Sequence, residues 1–420
     1  MPKLIVAGGQ RLSGCCRVHG AKNAVLPILA ASVLTKRPVR LVDCPDLTDV
    51  SNMLSILRTI GCDAAFDAGE ITVDASKASS AELPEDLSKE LRSSIFLLGP
   101  VLGRFRRAVV TYPGGCEIGN RPIDLHIKGL TALNAKITEE RGRIYCDGTN
   151  LVGACIHLDY PSVGATENIM MAAVAARGET VIFNAAREPE IVDLQDFLCA
   201  AGFFVSGAGS STVTVRGGES PREVSYRIRP DRIVAGTVLA AGAITRGKVT
   251  VENVVPADME GVLGKLTEYG CRLKTYEDAV TLTAPDRLTA PMRIETMPHP
   301  GFPTDMQAQM FALSTVADGT TVIVENVFEN RFKHAAELMR MGAAAMIRDR
   351  TAVIRGVQRL TGANVTARDL RGGAAPALAG LAAEGTTVIS GAELIARGYE
   401  DLAGTLTALG AGASIINEGQ

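Results

Sequence analysis

Two hydrophobic rhythms alternate along the chain. Leu47, Val50, Leu54, Leu57 and Ile60 recur every three or four positions and predict one apolar face of a helix. Short stretches such as Gly69-Glu-Ile-Thr-Val-Asp74 and Ser211-Thr-Val-Thr-Val215 alternate with period two and predict hairpin strands. The same order returns six times. Leu57-Arg-Thr-Ile-Gly61, Leu130-Thr-Ala-Leu-Asn134, Leu198-Cys-Ala-Ala-Gly202, Leu266-Thr-Glu-Tyr-Gly270, Leu338-Met-Arg-Met-Gly342 and Leu406-Thr-Ala-Leu-Gly410 each close an amphipathic run. Gly or Asn at that place is a helix C-terminal signal. A small-residue helix and a β-branched strand precede each run, most clearly at Gly319-Thr-Thr-Val-Ile-Val-Glu325 and Gly385-Thr-Thr-Val-Ile389. The pattern predicts an α/β repeat protein of six units, each of about 70 residues, grouped three and three into two domains.

The starts of the small-residue helices keep the same period. Lys22, Arg92, Ser162, Arg232, Asp305 and Arg371 each stand at or just before an apolar helical run. A helix N-terminus carries partial positive charge and free N–H groups, so it suits an anion. Capping accounts for Asp305 after Thr304. It does not account for basic residues set against the macrodipole, and these favour an anionic ligand.

Composition narrows the classes. The 420 residues carry 43 basic and 46 acidic side chains, a net charge of −3, which leaves no basic footprint for nucleic acid. The two longest nearly unbroken apolar runs, Ala24–Leu34 and Ile233–Ile244, fall well short of the roughly 20 residues of a membrane span, and membrane insertion is not expected. Nine cysteines form no Cys-x-x-Cys pair and five histidines are scattered, so no metal site is expected. Unpatterned thiols and the absence of a signal-like apolar segment near Met1 lead to a cytoplasmic expectation. Gly242-Ala-Ile-Thr-Arg-Gly-Lys248-Val249 lacks the hydroxyl of a phosphate-binding loop and runs from helix to strand. Gly207-Ala-Gly209 reads as a hairpin turn.

One segment differs from its counterparts. Thr111-Tyr-Pro-Gly-Gly-Cys116-Glu-Ile-Gly-Asn-Arg121-Pro122-Ile123-Asp124-Leu125 sets a thiol five residues from a guanidinium in a Gly/Pro-rich loop. Nearby cations lower a thiol's pKa and make it reactive. The other eight cysteines are expected to be buried and inert, the usual fate of a free cysteine.

Those residues, with Gly20-Ala-Lys22-Asn23, Ser162-Val163-Gly164-Ala-Thr166, Asn184-Ala-Ala-Arg-Glu-Pro-Glu-Ile-Val-Asp193, Phe302-Pro-Thr-Asp305, Phe328-Glu-Asn-Arg-Phe332, Asp369-Leu-Arg371 and Arg397-Gly-Tyr-Glu400, run in register over essentially the whole chain. Together they resemble the UDP-N-acetylglucosamine 1-carboxyvinyltransferase family of enolpyruvyl transferases (the MurA enzymes). The resemblance implies a two-domain, inside-out α/β barrel fold, with residues 22–229 inserted into a domain made of residues 1–21 and 230–420. It implies transfer of the enolpyruvyl group of phosphoenolpyruvate to the 3-hydroxyl of UDP-N-acetylglucosamine, with release of phosphate. This is the first committed step of peptidoglycan synthesis, and it uses no cofactor.

By the same resemblance, Lys22, Arg121 and Arg397 hold phosphoenolpyruvate and Asp305 accepts the sugar hydroxyl's proton. Cys116 is the general acid, able to form a covalent phosphoenolpyruvate adduct and to take the epoxide fosfomycin. Asn23, Arg92, Arg121, Pro122, Ile123, Asp124, Leu125, Ser162, Val163, Gly164 and Val327 match contacts to the UDP-sugar, and Asp369 and Arg371 line the same site. Tyr160 departs from members that carry Lys in the uridine region. Three rivals stand beside this reading. A shikimate-pathway enolpyruvyl transferase is disfavoured by the Gly-Ala-Lys-Asn start and the Cys loop. An RNA 3′-phosphate cyclase is disfavoured by the low basic charge, and a non-enzymatic paralogue by Cys116 and Asp305.

Overall fold

The structure is a computed structural model and describes residues 2–112, 123–218 and 220–417. The described residues divide into two units. One comprises those up to His19 and from Pro230 onwards; the other runs from Gly20 to Arg229. Gly20 N–H donates to Asp43 O at 2.9 Å and Ala21 N–H to Arg229 O at 2.7 Å, tying both ends of the inserted segment within one unit.

The apolar runs become helices without a polar face. In the Gly20–Arg229 unit, Lys22–Thr35, Leu98–Phe105 and Val163–Ala173 pack on one another, and in the first of these every residue but Asn23 is buried. In the other unit, Arg232–Ile244, Gln307–Ser314 and Ala374–Ala382 do the same. A helix apolar all round belongs inside a core, and each unit has its own. Among the described residues no helix is long and apolar enough to cross a membrane.

Five of the six core helices lead into a strand, a second helix and a hairpin, whereas after Ala374–Ala382 the last strand, Gly412–Ile416, pairs with Lys3–Ala7 instead. After Lys22–Thr35 come Val39–Val42, Thr48–Thr59, and the paired strands Asp63–Asp67 and Glu70–Asp74. Val39–Val42 lies antiparallel to Glu70–Asp74 and parallel to Val224–Arg227 from far along the chain. Parallel neighbours of this kind recur: Ser13–Arg17 beside Lys248–Glu252, Cys155–His157 beside Glu179–Phe183, Arg293–Glu295 beside Thr320–Val324, and Asn364–Thr366 beside Thr386–Ser390. The first strand, Lys3–Ala7, is antiparallel to both Thr386–Ser390 and Gly412–Ile416 and lies between them.

The six Leu-x-x-x-Gly/Asn anchors share one geometry. Gly61, Asn134, Gly202, Gly270, Gly342 and Gly410 all have left-handed backbones, with φ from 68° to 99°. The next residue's N–H reaches back to the carbonyl of the recurring leucine in every case: Cys62 to Leu57, Ala135 to Leu130, Phe203 to Leu198, Cys271 to Leu266, Ala343 to Leu338 and Ala411 to Leu406, at 2.9–3.1 Å. This is the Schellman closure, which satisfies a carbonyl the helix would otherwise orphan. The same six leucines are buried, so one short pattern both ends the helix and anchors it in the core.

Candidate functional site

Lys22 is the first residue of its helix and is buried. Its Nζ lies 2.6 Å from Asp49 Oδ2, in the first turn of Thr48–Thr59, with under a tenth of either side chain exposed. Removing one member of such a pair leaves an uncompensated buried charge, at a cost of about 3–5 kcal/mol. In the same unit Arg92 opens the Arg92–Leu97 turn and Asp124 opens Asp124–Ala132. Ile123 is buried, Leu125 and Asn23 are half-buried, and Asp124 and Tyr160 are exposed. Ser162 caps Val163–Ala173 by accepting from Ala165 N–H at 3.3 Å, leaving Val163 and Gly164 half-buried in the first turn.

The other unit gathers a second group. Asp305 sits in the Thr304–Met306 turn that leads into Gln307–Ser314. Arg331 Nη2 donates to Asp305 Oδ1 at 2.9 Å, and Arg331 Nη1 lies 3.8 Å from Asp369 Oδ1. Arg371 Nε approaches Asp305 Oδ2 at 3.6 Å, while its Nη2 is 3.9 Å from Asp231 Oδ2. Its guanidinium also stands 5.3 Å from the centre of the Tyr399 ring and donates to Gly398 O at 3.2 Å. Burial works to lower the Arg371 pKa, but Tyr399, Asp231 and Asp305 outweigh it and the group is held above its ordinary value. Asp369 is fixed in turn by the N–H groups of Arg371 and Gly372 at 3.1 and 2.8 Å.

Val327 is set by a buried carboxylate. Glu325 Oε1 accepts from the N–H groups of Val327 and Phe328 and from Thr296 Oγ1, and Oε2 accepts from Thr304 Oγ1. The segments carrying Asp305 and Val327 are thereby pinned to one group. Arg397 is half-buried in the turn after Ala392–Ile395, two residues before Tyr399.

The structure thus brings Asp305, Asp369 and Arg371 together. Cys116, Arg121 and Pro122 lie outside the described residues. Sequence reasoning missed Arg331, Asp49, Asp231 and Glu325 as partners. Arg331 stands inside the Phe328–Phe332 motif, but an ion-pair partner has no signature of its own. Asp49 and Asp231 look like ordinary first-turn or capping acids.

Two expectations need correction. Basic residues at helix starts do not by themselves call for a ligand, because Lys22 and Arg371 each face a carboxylate of the protein. The cysteines other than Cys116 are not uniformly buried. Cys155 is exposed because strand alternation turns it outward, Cys15 is exposed in a strand, Ser13–Arg17, with no buried residue, and Cys16 and Cys199 are intermediate. Cys44, Cys62, Cys146 and Cys271 are buried, and burial pushes their thiols up to about 12, 11, 12 and 12.

Comparison with known proteins places this arrangement. The profile of the EPSP synthase (3-phosphoshikimate 1-carboxyvinyltransferase) family matches residues 6–406. UDP-N-acetylglucosamine 1-carboxyvinyltransferase 2 of Caldanaerobacter subterraneus subsp. tengcongensis is 50% identical over 411 residues, covering 98% of this chain and 99% of the relative. UDP-N-acetylglucosamine 1-carboxyvinyltransferase 1 of Staphylococcus aureus is 47% identical over 422 residues and the full length of both. The enolpyruvyl transferase NikO of Streptomyces tendae superimposes with a TM-score of 0.89 at 27% identity, over 99% of this chain and 98% of that one. EPSP synthase of Acinetobacter baumannii, with a TM-score of 0.74 at 20% identity over 99% of this chain and 100% of that one, shares the fold. The mixed α/β chain belongs to the enolpyruvyl transferase family, and within it to the UDP-N-acetylglucosamine 1-carboxyvinyltransferases.

Proposed function

We infer that this chain transfers the enolpyruvyl group of phosphoenolpyruvate to the 3-hydroxyl of UDP-N-acetylglucosamine, releasing phosphate, at the first committed step of peptidoglycan synthesis. The observation that carries this is full-length identity of 47–50% to enzymes of that name. The arginine-flanked carboxylate of Asp305 is consistent with it.

The chemistry is an addition followed by an elimination. The sugar O3 bonds to C2 of phosphoenolpyruvate, its proton passes to Asp305, and C3 takes a proton from Cys116. The resulting tetrahedral ketal returns a proton from C3 to the Cys116 thiolate as the bond from C2 to the phosphate oxygen breaks and phosphate leaves. Arg331 and Arg371 orient Asp305, so that the acceptor oxygen is fixed before the hydroxyl arrives. Lys22, Arg121 and Arg397 neutralise the charge of phosphoenolpyruvate and its ketal, the main electrostatic device open to side chains. Asn23, Arg92, Ile123, Asp124, Leu125, Tyr160, Ser162, Val163, Gly164 and Val327 hold the UDP-sugar. No electrons are gained or lost overall, so the balance calls for no redox cofactor. A covalent phosphoenolpyruvate adduct at Cys116 belongs to this reading.

The finer architecture is part of the same proposal: two inside-out α/β barrels, each of three repeats, with residues 22–229 inserted. The recurring helix–strand–helix–hairpin order, the all-round burial of the core helices and the six identical helix closures support it. The test of function is phosphate release with each substrate omitted in turn. Release is expected only when phosphoenolpyruvate and UDP-N-acetylglucosamine are both present. Turnover with shikimate 3-phosphate in place of the UDP-sugar, or a need for ATP, would overturn the assignment.

A further inference from the structure

Asn168 is wholly buried in the Val163–Ala173 helix, and its amide orientation is fixed by backbone groups that cannot exchange roles. Gly99 N–H donates to Oδ1 at 2.6 Å, and Nδ2 donates to Ile95 O at 2.9 Å. The second Nδ2 hydrogen has His126 Nδ1 at 2.9 Å and, farther off, Gly164 O at 3.4 Å, and because an amide nitrogen cannot accept, the 2.9 Å contact to His126 is one in which Nδ1 accepts. A nitrogen that accepts is unprotonated, so the proton of a neutral imidazole must sit on Nε2. His126 is 7% exposed, and Nε2 has no hydrogen-bond partner among the described residues. The Cε1–Nε2 edge lies against the first turn of the Ser162-capped helix: a Cβ on Gly164 would stand 3.2 Å from Cε1 and 3.3 Å from Nε2.

We propose that Asn168 is a positioning residue that locks His126 as a neutral Nε2–H donor, aimed at a phosphate oxygen of the nucleotide-sugar at the start of the Val163–Ala173 helix. This rests on the proposed function, which brings a UDP-sugar to Ser162–Gly164. The helix start and Arg92, which acts electrostatically on the ring, both favour an anion there. Burial first, and then Arg92, hold the imidazole down at about 4 against the opposing pull of Asp124, so the donor stays uncharged at neutral pH. The lock also sets a sign. With the opposite tautomer, Nε2 would present a lone pair to the phosphate and repel it.

The test is a long-range 1H–15N spectrum of protein labelled at its five histidines, with the His126 signals identified by their loss in His126→Leu. Expected in the ligand-free protein is an unprotonated Nδ1 and a protonated Nε2, unchanged from pH 6 to 8. A protonated Nδ1, or a ring that titrates in that range, would overturn the lock. In Asn168→Asp the carboxylate accepts where the amide donated, so Nδ1 should gain a proton; an Nδ1 that stays bare overturns Asn168's part. Should that variant not fold, the wild-type spectrum still decides the tautomer. UDP should shift the Nε2 signal and uridine should not, whereas a shift with uridine, or none with UDP, overturns the phosphate contact. His126→Leu should weaken UDP-N-acetylglucosamine binding about tenfold or more by calorimetry, and equal affinity counts against the donor. If the wild-type protein binds no UDP-N-acetylglucosamine at all, it is the functional reading that fails; the tautomer result stands apart from it.

Discussion

Asp305 shows how much a single side chain owes to its neighbours. It hangs from a three-residue turn, with Arg331 on one oxygen and Arg371 near the other. Asp305→Asn keeps the size and removes the proton acceptor. The expected loss is about 10²–10⁴ in kcat, the usual span for general base catalysis, read by steady-state phosphate release. An Asn variant with wild-type kcat would remove Asp305 from the proton-transfer role. The thiols offer a second test at this scale. A small neutral alkylating reagent should label Cys15 and Cys155 in the folded protein, but not Cys44, Cys62, Cys146 or Cys271 until it unfolds. Fosfomycin should instead place its single adduct on Cys116, because it needs the phosphoenolpyruvate-binding cations as well as a thiol. Peptide mapping by mass spectrometry separates the cases; an epoxide adduct on Cys15 or Cys155 would count against Cys116 as the selective site. Lys22, Asp305, Asp369 and Arg371 could be named from sequence motifs. Their ion-pair partners were not, since Asp49 and Arg331 acquire meaning only when distant segments meet.

At the scale of elements, the helix ends were the most legible feature. Leu-x-x-x-Gly states a local requirement, a left-handed residue four positions after a core leucine, and local requirements survive in sequence. Asn134 is the one non-glycine among the six. Asn tolerates this backbone, and its Nδ2 also donates to Asn150 O at 2.9 Å. Gly410→Ala isolates the backbone cost, because a Cβ there meets nothing within 4 Å while φ is 99°. Destabilisation of about 1–2 kcal/mol is expected in urea unfolding, and an unchanged midpoint would show that the closure relaxes without strain. The parallel strands were less legible. Cys155–His157 and Arg293–Glu295 have three residues each, too few for a period to register, and their partners lie elsewhere in the chain.

For the whole molecule, buried titratable groups set opposing pH trends. Burial pushes Asp193 up to about 6, although Tyr226 Oη and Arg229 N–H both donate to it, at 2.6 and 3.1 Å. Glu167 is raised well above its ordinary value by burial and by Glu190 and Glu188. A carboxyl with a raised folded-state pKa stabilises the fold at low pH, and that contribution is lost as pH rises towards the folded value. His126 and His334, each held down at about 4, act the other way: their contribution is lost as pH falls from about 6.5 towards 4. Asp193→Asn removes one contribution cleanly. Relative to wild type, the variant should gain about 2–2.5 kcal/mol between pH 4 and pH 7, whatever its offset at either end. Denaturant unfolding at the two pH values checks it, and a pH-independent difference would mean that Asp193 ionises normally in the fold. None of this was legible beforehand, because burial of an acid depends on everything packed above it.

The place of Lys3–Ala7, flanked on both sides by strands from the other end of the chain, has a consequence for biosynthesis. A ribosome releases this strand long before its neighbours Thr386–Ser390 and Gly412–Ile416, which lie far along the chain. At about 5–20 residues per second the wait is roughly 20 to 80 s. The Gly20–Arg229 unit is contiguous and can close during that interval, while the opening segment stays tethered and unpaired. Lys3–Ala7 is therefore the stretch of nascent chain most in need of a chaperone's cover. A circular permutant that moves the first 19 residues behind the last strand should shorten that exposure, and the yield of folded protein in a chaperone-depleted translation system should rise. An unchanged yield would place the slow step elsewhere.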